Sequence, residues 1–188
     1  MPYHVGYITG EVNFEALPVV KITDYPLEKS DYKPFAQCLL CAVPTGLWLR
    51  MWAFEVFSSP QSELRGVLGL FGDNAAALHV RVCADSPVFA DAWVQTAEGE
   101  RISVNVSSSP HNGEDLQGVY WGAQVFVAYE SLKSIAGFTP LTPGTKFLGN
   151  FYKLRTDEPY VHMGSYYPAD FSGGTQFDSM DTFEVISW

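Results

Sequence analysis

Two apolar runs of strand length lie side by side early in the chain, and they limit the possible folds more than any other feature. Residues 36–43 read AQCLLCAV and residues 47–57 read LWLRMWAFEVF, and only Pro44-Thr45-Gly46 separates them. So short a connection, with Pro and Gly, between two strand-like runs is typical of a β-hairpin. The pair therefore predicts two neighbouring antiparallel strands.

Further strand signals follow at close spacing. Residues 65–71 and 76–83 flank a turn at Gly72-Asp73-Asn74, and the later strand-like runs are 101–107, 119–129, 146–154 and 182–187. A short helix is predicted at 130–136, and the less regular N-terminal 35 residues supply edge or covering segments. Many short strands with almost no helix predict an all-β fold, an antiparallel β-sandwich with one short helix.

The length of the chain favours one domain. Its 188 residues can bury a sizeable core, so a single β-sandwich spanning residues 1–188 is predicted. Pro140, Pro143 and Gly144 mark a loop inside that domain, because strands continue on both sides of them.

The charge balance limits the partners. There are 21 acidic against 11 basic residues, a net charge of −10, and no basic cluster stands out in the sequence, so nucleic-acid binding is not expected. No apolar run approaches the roughly 20 residues of a membrane span. The N-terminal MPYHVGYITGEVNFEAL lacks the features of a signal peptide. We therefore expect a cytoplasmic protein, or an extracellular one if a leader was removed; the oligomeric state is left open.

The cysteine pattern at CLLC resembles a redox or metal motif only superficially. Cys38 and Cys41 lie in a strand-like run, where positions i and i+3 point to opposite faces, so their thiols would not converge. Buried structural cysteines are predicted, for Cys83 as well.

Catalytic motifs are scarce, and no enzyme is expected. The four histidines have no metal-binding spacing and there is no G-x-S-x-G elbow. Asp170, Asp178, Asp181 and Glu184 cluster near the C-terminus. They leave three alternatives open: a hydrolase pair, oxygen ligands for Ca²⁺, or a solvated loop, which is the interpretation we favour.

Aromatic residues are unusually frequent, at 15% of the chain, and they are the side chains that could carry a binding function. A sugar ring has an apolar C–H face that packs on a flat aromatic ring, and its hydroxyls need polar partners at the rim. Most rings must nevertheless belong to the core. In 47–57 one face carries Trp48, Arg50, Trp52 and Phe54 and is predicted to be partly exposed, whereas Trp121 shares its face with valines and is predicted to be core.

At the level of motifs the chain resembles family 9 carbohydrate-binding modules. AQCLLCAVPTGLWLRMWAFEV is similar to that family's first long hairpin, and YWGAQVFVAYESL is similar to its stretch from a strand into a helical turn. GTKFLGNFYK and YYPADF are the closest elements, and the resemblance covers residues 36–188 in element order.

The resemblance implies a β-sandwich that binds sugars without cleaving them, with structural calcium in some members and no other cofactor. The family's paired tryptophans and strand glutamate have no counterparts here. Gly69 stands near the glutamate position, and an expected arginine is replaced by His79, with Arg81 on the same face. Tyr166, Tyr167 and Phe171 stand where an aromatic clamp would lie.

A non-catalytic carbohydrate-binding domain is therefore the leading hypothesis. Its candidate ligand residues are Tyr166, Tyr167 and Asn150, followed by Arg50, His79, Arg81 and Trp121. For Asn150, on a strand with large apolar groups on both faces, a structural role through backbone hydrogen bonds is the alternative. The alternative function is a module for a protein or another small ligand on the same scaffold, with a hydrolase as the third possibility.

Overall fold

The computed structural model describes residues 1–29, 31, 33–174 and 176–188. Their helical content is two single turns of 3₁₀ helix, Phe14–Ala16 and Tyr129–Ser131, the second in place of the short helix predicted at 130–136. The remaining regular structure is β: β1 Tyr3–Tyr7, β2 Val20–Ile22, β3 Phe35–Val43, β4 Gly46–Phe54, β5 Ser62–Gly69, β6 Ala77–Cys83, β7 Phe89–Gln95, β8 Arg101–Val104, β9 Ser107–Pro110, β10 Gly113–Asp115, β11 Gly118–Ala128, β12 Lys146–Arg155, β13 His162–Ser165 and β14 Asp181–Ser187.

The strands form one sheet that curls back on itself. Its order is β10-β11-β4-β3-β1-β14-β12-β5-β6-β7-β8, with β2 beside β3, β9 beside β11 and β13 beside β12. β11 approaches β6 and β7 across the interior, so the two halves of the sheet close as a sandwich. The all-β sandwich is confirmed, as are the two predicted hairpins, β3–β4 and β5–β6.

One strand departs from the antiparallel arrangement. β1 pairs in parallel with both β3 and β14, which makes the sheet mixed. Long connections separate β1 from each partner along the chain, and parallel neighbours require such crossovers. The irregular N-terminus therefore contributes a central strand, so the prediction that this segment supplies only edge or covering structure was wrong for Tyr3–Tyr7.

Strand alternation explains the core. On β4, Leu47, Leu49, Met51 and Ala53 are fully buried, while the alternate residues on the other face are half-buried. The main core between the two halves collects such inward residues from most strands, among them Val5, Leu40, Leu49, Leu64, Val80, Val94, Val125, Phe151 and Phe183. The predicted two-faced character of 47–57 is confirmed.

Two smaller apolar clusters lie on the outer faces. The N-terminal cluster comprises Ile8, Leu17, Leu39, Cys41 and Val43. The loop cluster comprises Val67, Tyr152, Leu154 and Phe171. Partly buried residues of 168–174 and 176–180, here called the covering loop, pack against the loop cluster. The covering loop thus shields part of the outer surface of β5 and β12.

The cysteines are structural, as predicted. Cys38 belongs to the main core and Cys41 to the N-terminal cluster, so the two thiols of CLLC lie on opposite faces of β3. Both are free and buried, as is Cys83. Burial raises the pKa of the Cys41 thiol to about 12 and that of Cys83 to about 11.

A charged network lies inside the protein. The Nζ atom of Lys153 is 3.0 Å from Oε2 of Glu55, and both side chains are fully buried. Glu55 also accepts hydrogen bonds from Ser62 Oγ at 3.0 Å and from Trp121 Nε1 at 3.1 Å. Lys153 Nζ lies 2.8 Å from Nε2 of His162. Because a buried carboxylate and a buried ammonium each cost several kcal/mol to desolvate, each ion depends on the other.

No helix among the described residues is long and apolar enough to cross a membrane.

Candidate functional site

Arginine, histidine and tryptophan side chains gather on the outer face of β5, β6 and β7. Strand pairing places Arg65 opposite Arg81 and Arg81 opposite Asp91, and in the next row it places His79 opposite Trp93. Residues directly opposite each other on neighbouring strands share a face and contact one another. The fold therefore assembles one polar and aromatic surface from three separate strands.

The covering loop turns this surface into a groove of about 340 Å³. Its wall includes Phe177, whose ring lies 3.9 Å from the guanidinium carbon of Arg65 and edge-on to His79 at 5.8 Å. The groove is lined by Arg65, Ala75, Ala77, His79, Trp93, Gln95, Arg101, Gln176, Phe177, Asp178 and Met180. Apolar ring surface and hydrogen-bonding groups thus meet in one concave site.

Phe177 has an unusual backbone conformation. Its φ of 56° is uncommon for a bulky residue. Such a conformation persists only where the surroundings hold it, and here Arg65 lies against the ring face while Tyr152 lies edge-on to it at 5.1 Å. The packing of the ring therefore fixes this part of the groove wall.

Two buried nitrogen atoms of groove-lining residues have no hydrogen-bond partner among the residues that the structure describes. The imidazole of His79 stacks on the indole of Trp93, with ring centroids 5.3 Å apart and an angle of 14° between the planes. Nδ1 of His79 and Nε1 of Trp93 form no hydrogen bond with the described part of the chain, and the two residues are only 7% and 5% exposed. Since a buried unsatisfied group costs about 1–3 kcal/mol, a ligand that bonds to these atoms would recover that cost.

The groove has a positive electrostatic character. Burial, followed by the charges of Arg65 and Arg101, lowers the pKa of His79 to about 4. The imidazole is therefore neutral at physiological pH. Because a neutral imidazole has one donor and one acceptor nitrogen, His79 can bond to a hydroxyl group in either direction.

Two of the predicted ligand residues belong to this surface. His79 lines the groove, as its strand position indicated. Arg81 lies beside it, with Nε and Nη2 donating to the two carboxylate oxygens of Asp91 at 2.8 and 2.6 Å. Their role in ligand binding stays a prediction, but the structure brings them together.

The predicted tyrosine pair lies elsewhere. Tyr166 and Tyr167 are half-buried and pack against the main core, with Tyr166 edge-on to Tyr3 at 6.2 Å. The Tyr167 hydroxyl accepts from the Tyr3 backbone N–H at 3.0 Å and lies 3.0 Å from the carbonyl of Thr182. Neither tyrosine lines the groove. Both tyrosines therefore pack against the core. Their predicted contact with a sugar stays a prediction.

Asn150 is fully buried and has a structural role. Its amide nitrogen donates to the carbonyls of Tyr167 at 3.0 Å and Ser179 at 2.6 Å. Its Oδ1 accepts from the backbone N–H groups of Phe151 at 2.8 Å and Tyr167 at 2.9 Å. The alternative interpretation, in which Asn150 bonds to backbone groups of a neighbouring segment, is confirmed. Asn150 thereby ties the tyrosine segment and the covering loop to β12.

Replacing Asn150 with alanine is expected to lower the free energy of unfolding by about 2–3 kcal/mol, because buried backbone groups of Tyr167 and Ser179 lose their partners. Asn112→Ala is the matched control: Asn112 accepts one hydrogen bond, from the Gly122 N–H, and its loss should cost about 1 kcal/mol or less. Urea unfolding followed by tryptophan fluorescence measures both. Equal effects of the two substitutions would refute the structural role of Asn150.

The last two predicted ligand residues also lie outside the groove. Arg50 lies on the outer face of β4, where it contacts Glu15 at 2.8 Å and Gln124 Oε1 at 3.0 and 3.2 Å. It lines a separate groove of about 310 Å³ together with Trp52 and Tyr120. Trp121 is in the main core, as its strand pattern predicted. Its indole N–H donates a hydrogen bond to the carboxylate of Glu55.

Of the residues that line the groove, the sequence predicted only His79 as a ligand residue, and it missed among others Arg65, Trp93, Arg101 and Phe177. Trp93 belongs to β7, a strand that was not predicted, although FADAWVQ alternates small or apolar residues with outward Phe89, Asp91 and Trp93. Arg65 and Arg101 begin predicted strands, but they are far apart in the sequence. The absence of a basic cluster in the sequence therefore did not exclude one in space.

The C-terminal carboxylates have separate local roles. Asp170 accepts from the Ser172 N–H at 2.9 Å, Asp181 accepts from the Thr182 N–H at 2.6 Å, and Glu184 lies 3.8 Å from Lys146 Nζ. The part of the chain that the structure describes holds no group of three or more His, Cys, Asp or Glu side chains suited to a metal. Calcium binding, implied by the resemblance, stays a prediction.

The similarity to known proteins is structural. No protein-family model and no curated protein matches the sequence. A proposed carbohydrate-binding protein from Bacteroides uniformis superimposes with a TM-score of 0.75 at 13% identity, covering 98% of each chain. A family 9 carbohydrate-binding module from Caldicellulosiruptor kristjanssonii, solved with glucose, gives a TM-score of 0.65 at 13% identity, covering 100% of this chain and 97% of that one.

The chain has the fold of a family 9 carbohydrate-binding module.

A second family 9 module from the same organism, solved with cellotriose, gives a TM-score of 0.56 at 11% identity, over 100% of this chain and 95% of that one. All three matches span essentially the whole chain, including the N-terminal segments that carried no sequence resemblance. The family 9-like architecture predicted from GNFYK and YYPADF is therefore confirmed. GNFYK forms the centre of β12. The last four residues of YYPADF, 168–171, begin the covering loop.

Proposed function

We propose that this chain is a non-catalytic carbohydrate-binding domain and that its sugar site is the groove between the covering loop and the outer face of β5–β8. The observation that carries the proposal is the pair of buried nitrogens, His79 Nδ1 and Trp93 Nε1, which have no hydrogen-bond partner among the described residues and belong to side chains that line the groove with Phe177. The fold shared with two sugar-bound family 9 modules supports it.

The groove offers both kinds of contact that a sugar needs. Phe177 and Met180 provide an apolar wall for the C–H face of a pyranose ring. Trp93 Nε1 and the guanidinium of Arg101 donate hydrogen bonds, while Gln95, Gln176 and Asp178 offer acceptor oxygens for hydroxyl groups. Binding at this site requires no nucleophile or acid–base pair.

Trp93→Phe tests the site, because it removes the indole N–H and keeps an aromatic ring next to His79. Titration of a panel of mono- and oligosaccharides by calorimetry should identify a binding sugar, and Trp93→Phe should weaken its affinity about tenfold, the loss of one well-placed hydrogen bond. Trp52→Phe, on the separate groove, is the matched control and should leave the affinity unchanged.

Three outcomes contradict the proposal. Absence of heat with every saccharide would remove the carbohydrate function and favour a protein or other ligand. An affinity unaffected by Trp93→Phe but reduced by Trp52→Phe would move the site to the other face of the sandwich. Cleavage of a bound oligosaccharide during the titration would contradict the non-catalytic assignment.

A further inference from the structure

Three guanidinium groups surround the indole ring of Trp93. The guanidinium carbons of Arg65, Arg81 and Arg101 lie 5.0, 5.1 and 4.5 Å from its centroid. Arginine over an aromatic face is a favourable contact, but three arginines at one ring also place three positive charges together. This is a local concentration of positive charge on a chain whose net charge is −10.

The carboxylates of the sheet do not neutralise all three charges. Arg65 pairs with Glu63 through Nε, and Arg81 pairs with Asp91. Arg101, an exposed residue, forms no ion pair with any residue that the structure describes, and its guanidinium carbon lies over the Trp93 ring. Three cations against two anions leave Arg101 without a carboxylate partner on the sheet, and Asp178, on the covering loop, is the further carboxylate that lines the groove.

The arginines repel one another across the groove. Burial lowers the pKa of Arg65, the charge and the hydrogen bond of Glu63 raise it, and the charges of Arg81 and Arg101 lower it by smaller amounts. The charges of Arg65 and Arg101 also lower the pKa of His79. The remaining carboxylate of the groove, Asp178, is exposed on the covering loop, and its charge acts on Tyr152. A negative group placed beside Arg101 would find an exposed arginine that has no carboxylate partner on the sheet, and opposite charges at close range attract strongly in a partly desolvated site.

Near Trp93 and the arginines, the hydrogen-bond donors of the groove outnumber its acceptors. Trp93 Nε1 can only donate, and each guanidinium can only donate. A planar guanidinium matches a carboxylate or a sulfate ester in two parallel hydrogen bonds. A neutral sugar would bring its own hydroxyl donors to this donor-rich end, whereas an anionic group brings acceptors alone.

Building on the proposed sugar site, we propose that its ligand is an anionic saccharide whose acidic group binds the guanidinium of Arg101, while its ring packs against Phe177. Carboxylated and sulfated sugars share this chemistry. The groove therefore selects acidic over neutral sugars of the same ring configuration.

Matched sugars separate the contribution of the charge from that of the ring. Glucuronate and galacturonate, with their short oligomers, are titrated alongside glucose, galactose and the corresponding neutral oligomers, and the 6-sulfates form a third arm. We expect an acidic sugar to bind at least tenfold more tightly than its neutral counterpart. Arg101→Gln should reduce that preference to about threefold or less, and Arg101→Lys should retain part of it. Lys133→Gln removes an exposed charge elsewhere and should change nothing.

The outcomes distinguish this inference from the proposed function. A preference for the uronates identifies a carboxylate ligand, and a preference for the 6-sulfates identifies a sulfate ester. Tighter binding of a neutral sugar, sensitive to Trp93→Phe but not to Arg101→Gln, would overturn the anionic preference and leave the carbohydrate site standing. Inorganic sulfate or acetate binding as tightly as the acidic sugars would show an anion site without sugar recognition. Absence of binding to all saccharides would overturn both.

Discussion

Replacing Glu55 with alanine is expected to lower the free energy of unfolding by about 3–5 kcal/mol. The substitution leaves the ammonium group of Lys153 fully buried without its counter-ion, which lies 3.0 Å away in the native protein. It also removes the acceptor of the Ser62 hydroxyl and the Trp121 indole N–H. Guanidinium chloride unfolding, followed by tryptophan fluorescence and by circular dichroism, measures the change.

The partner substitution shows that the penalty comes from an uncompensated charge. Lys153→Met alone should be similarly destabilising, because it isolates the buried carboxylate of Glu55. The double variant Glu55→Gln, Lys153→Met should be less destabilised than the sum of Glu55→Gln and Lys153→Met alone, since neither ion then remains unpaired. Glu184→Ala is the surface control: its partner Lys146 is exposed, so the loss should be below about 1 kcal/mol. Additive single effects would contradict a coupled pair.

The sequence was sufficient to predict the strands with strong alternation. The β3–β4 hairpin, β11 and β12 carry long apolar runs bounded by turn residues, and the structure places each where it was predicted. β9 and β10 were missed because Ser107–Pro110 and Gly113–Asp115 are polar and short. Each of them pairs with β11. These segments are stabilised by hydrogen bonds to the neighbouring strand β11. Such pairing leaves no hydrophobic pattern in the sequence, so the pattern could not predict it.

The residues of the candidate site were harder to predict from the sequence than the strands. Its residues come from four strands and a loop, and only the register of β5–β8 brings Arg65, Arg81 and Trp93 together. His79 and Arg81 were predicted through their shared strand face and the family resemblance. The tyrosine pair was predicted from the aromatic excess and the family resemblance, but the direction of a side chain in a loop depends on tertiary packing, here on the hydrogen bonds between Asn150 and the Tyr167 backbone.

Two buried histidines should make the protein unstable in mild acid. His162 is buried beside Lys153, with Nδ1 2.7 Å from the carbonyl of Tyr160, to which it donates, so Nε2 is left to accept from the lysine. Burial and the Lys153 charge lower its pKa to about 4, and the neighbouring Glu55, whose charge acts in the opposite direction, does not offset them. His79 in the groove also has a pKa of about 4, through burial and two arginines.

The sign of the effect follows from proton binding. Between about pH 6.5, the pKa of a free histidine, and about pH 4, the unfolded chain binds a proton at each site while the folded protein does not. Stability is therefore full above pH 6.5, falls as the pH decreases through this window, and levels off below pH 4 for these groups. The slope is about 1.4 kcal/mol per pH unit for each histidine, or about 3 kcal/mol for each across the window.

Denaturant unfolding at a series of pH values between 4 and 7.5 measures this slope, and two substitutions assign it. His162→Gln and His79→Gln should each remove about one proton from the difference between the folded and unfolded states, and the double variant should remove about two. Each variant is then less sensitive to acid than the wild type, even where its stability at pH 7.5 is lower. A double variant with the wild-type slope would show that carboxylate protonation, and not the two neutral histidines, governs the acid sensitivity. If His79→Gln alone flattened the slope, the neutral state of His162 beside Lys153 would be refuted, while the positive potential of the groove would remain supported.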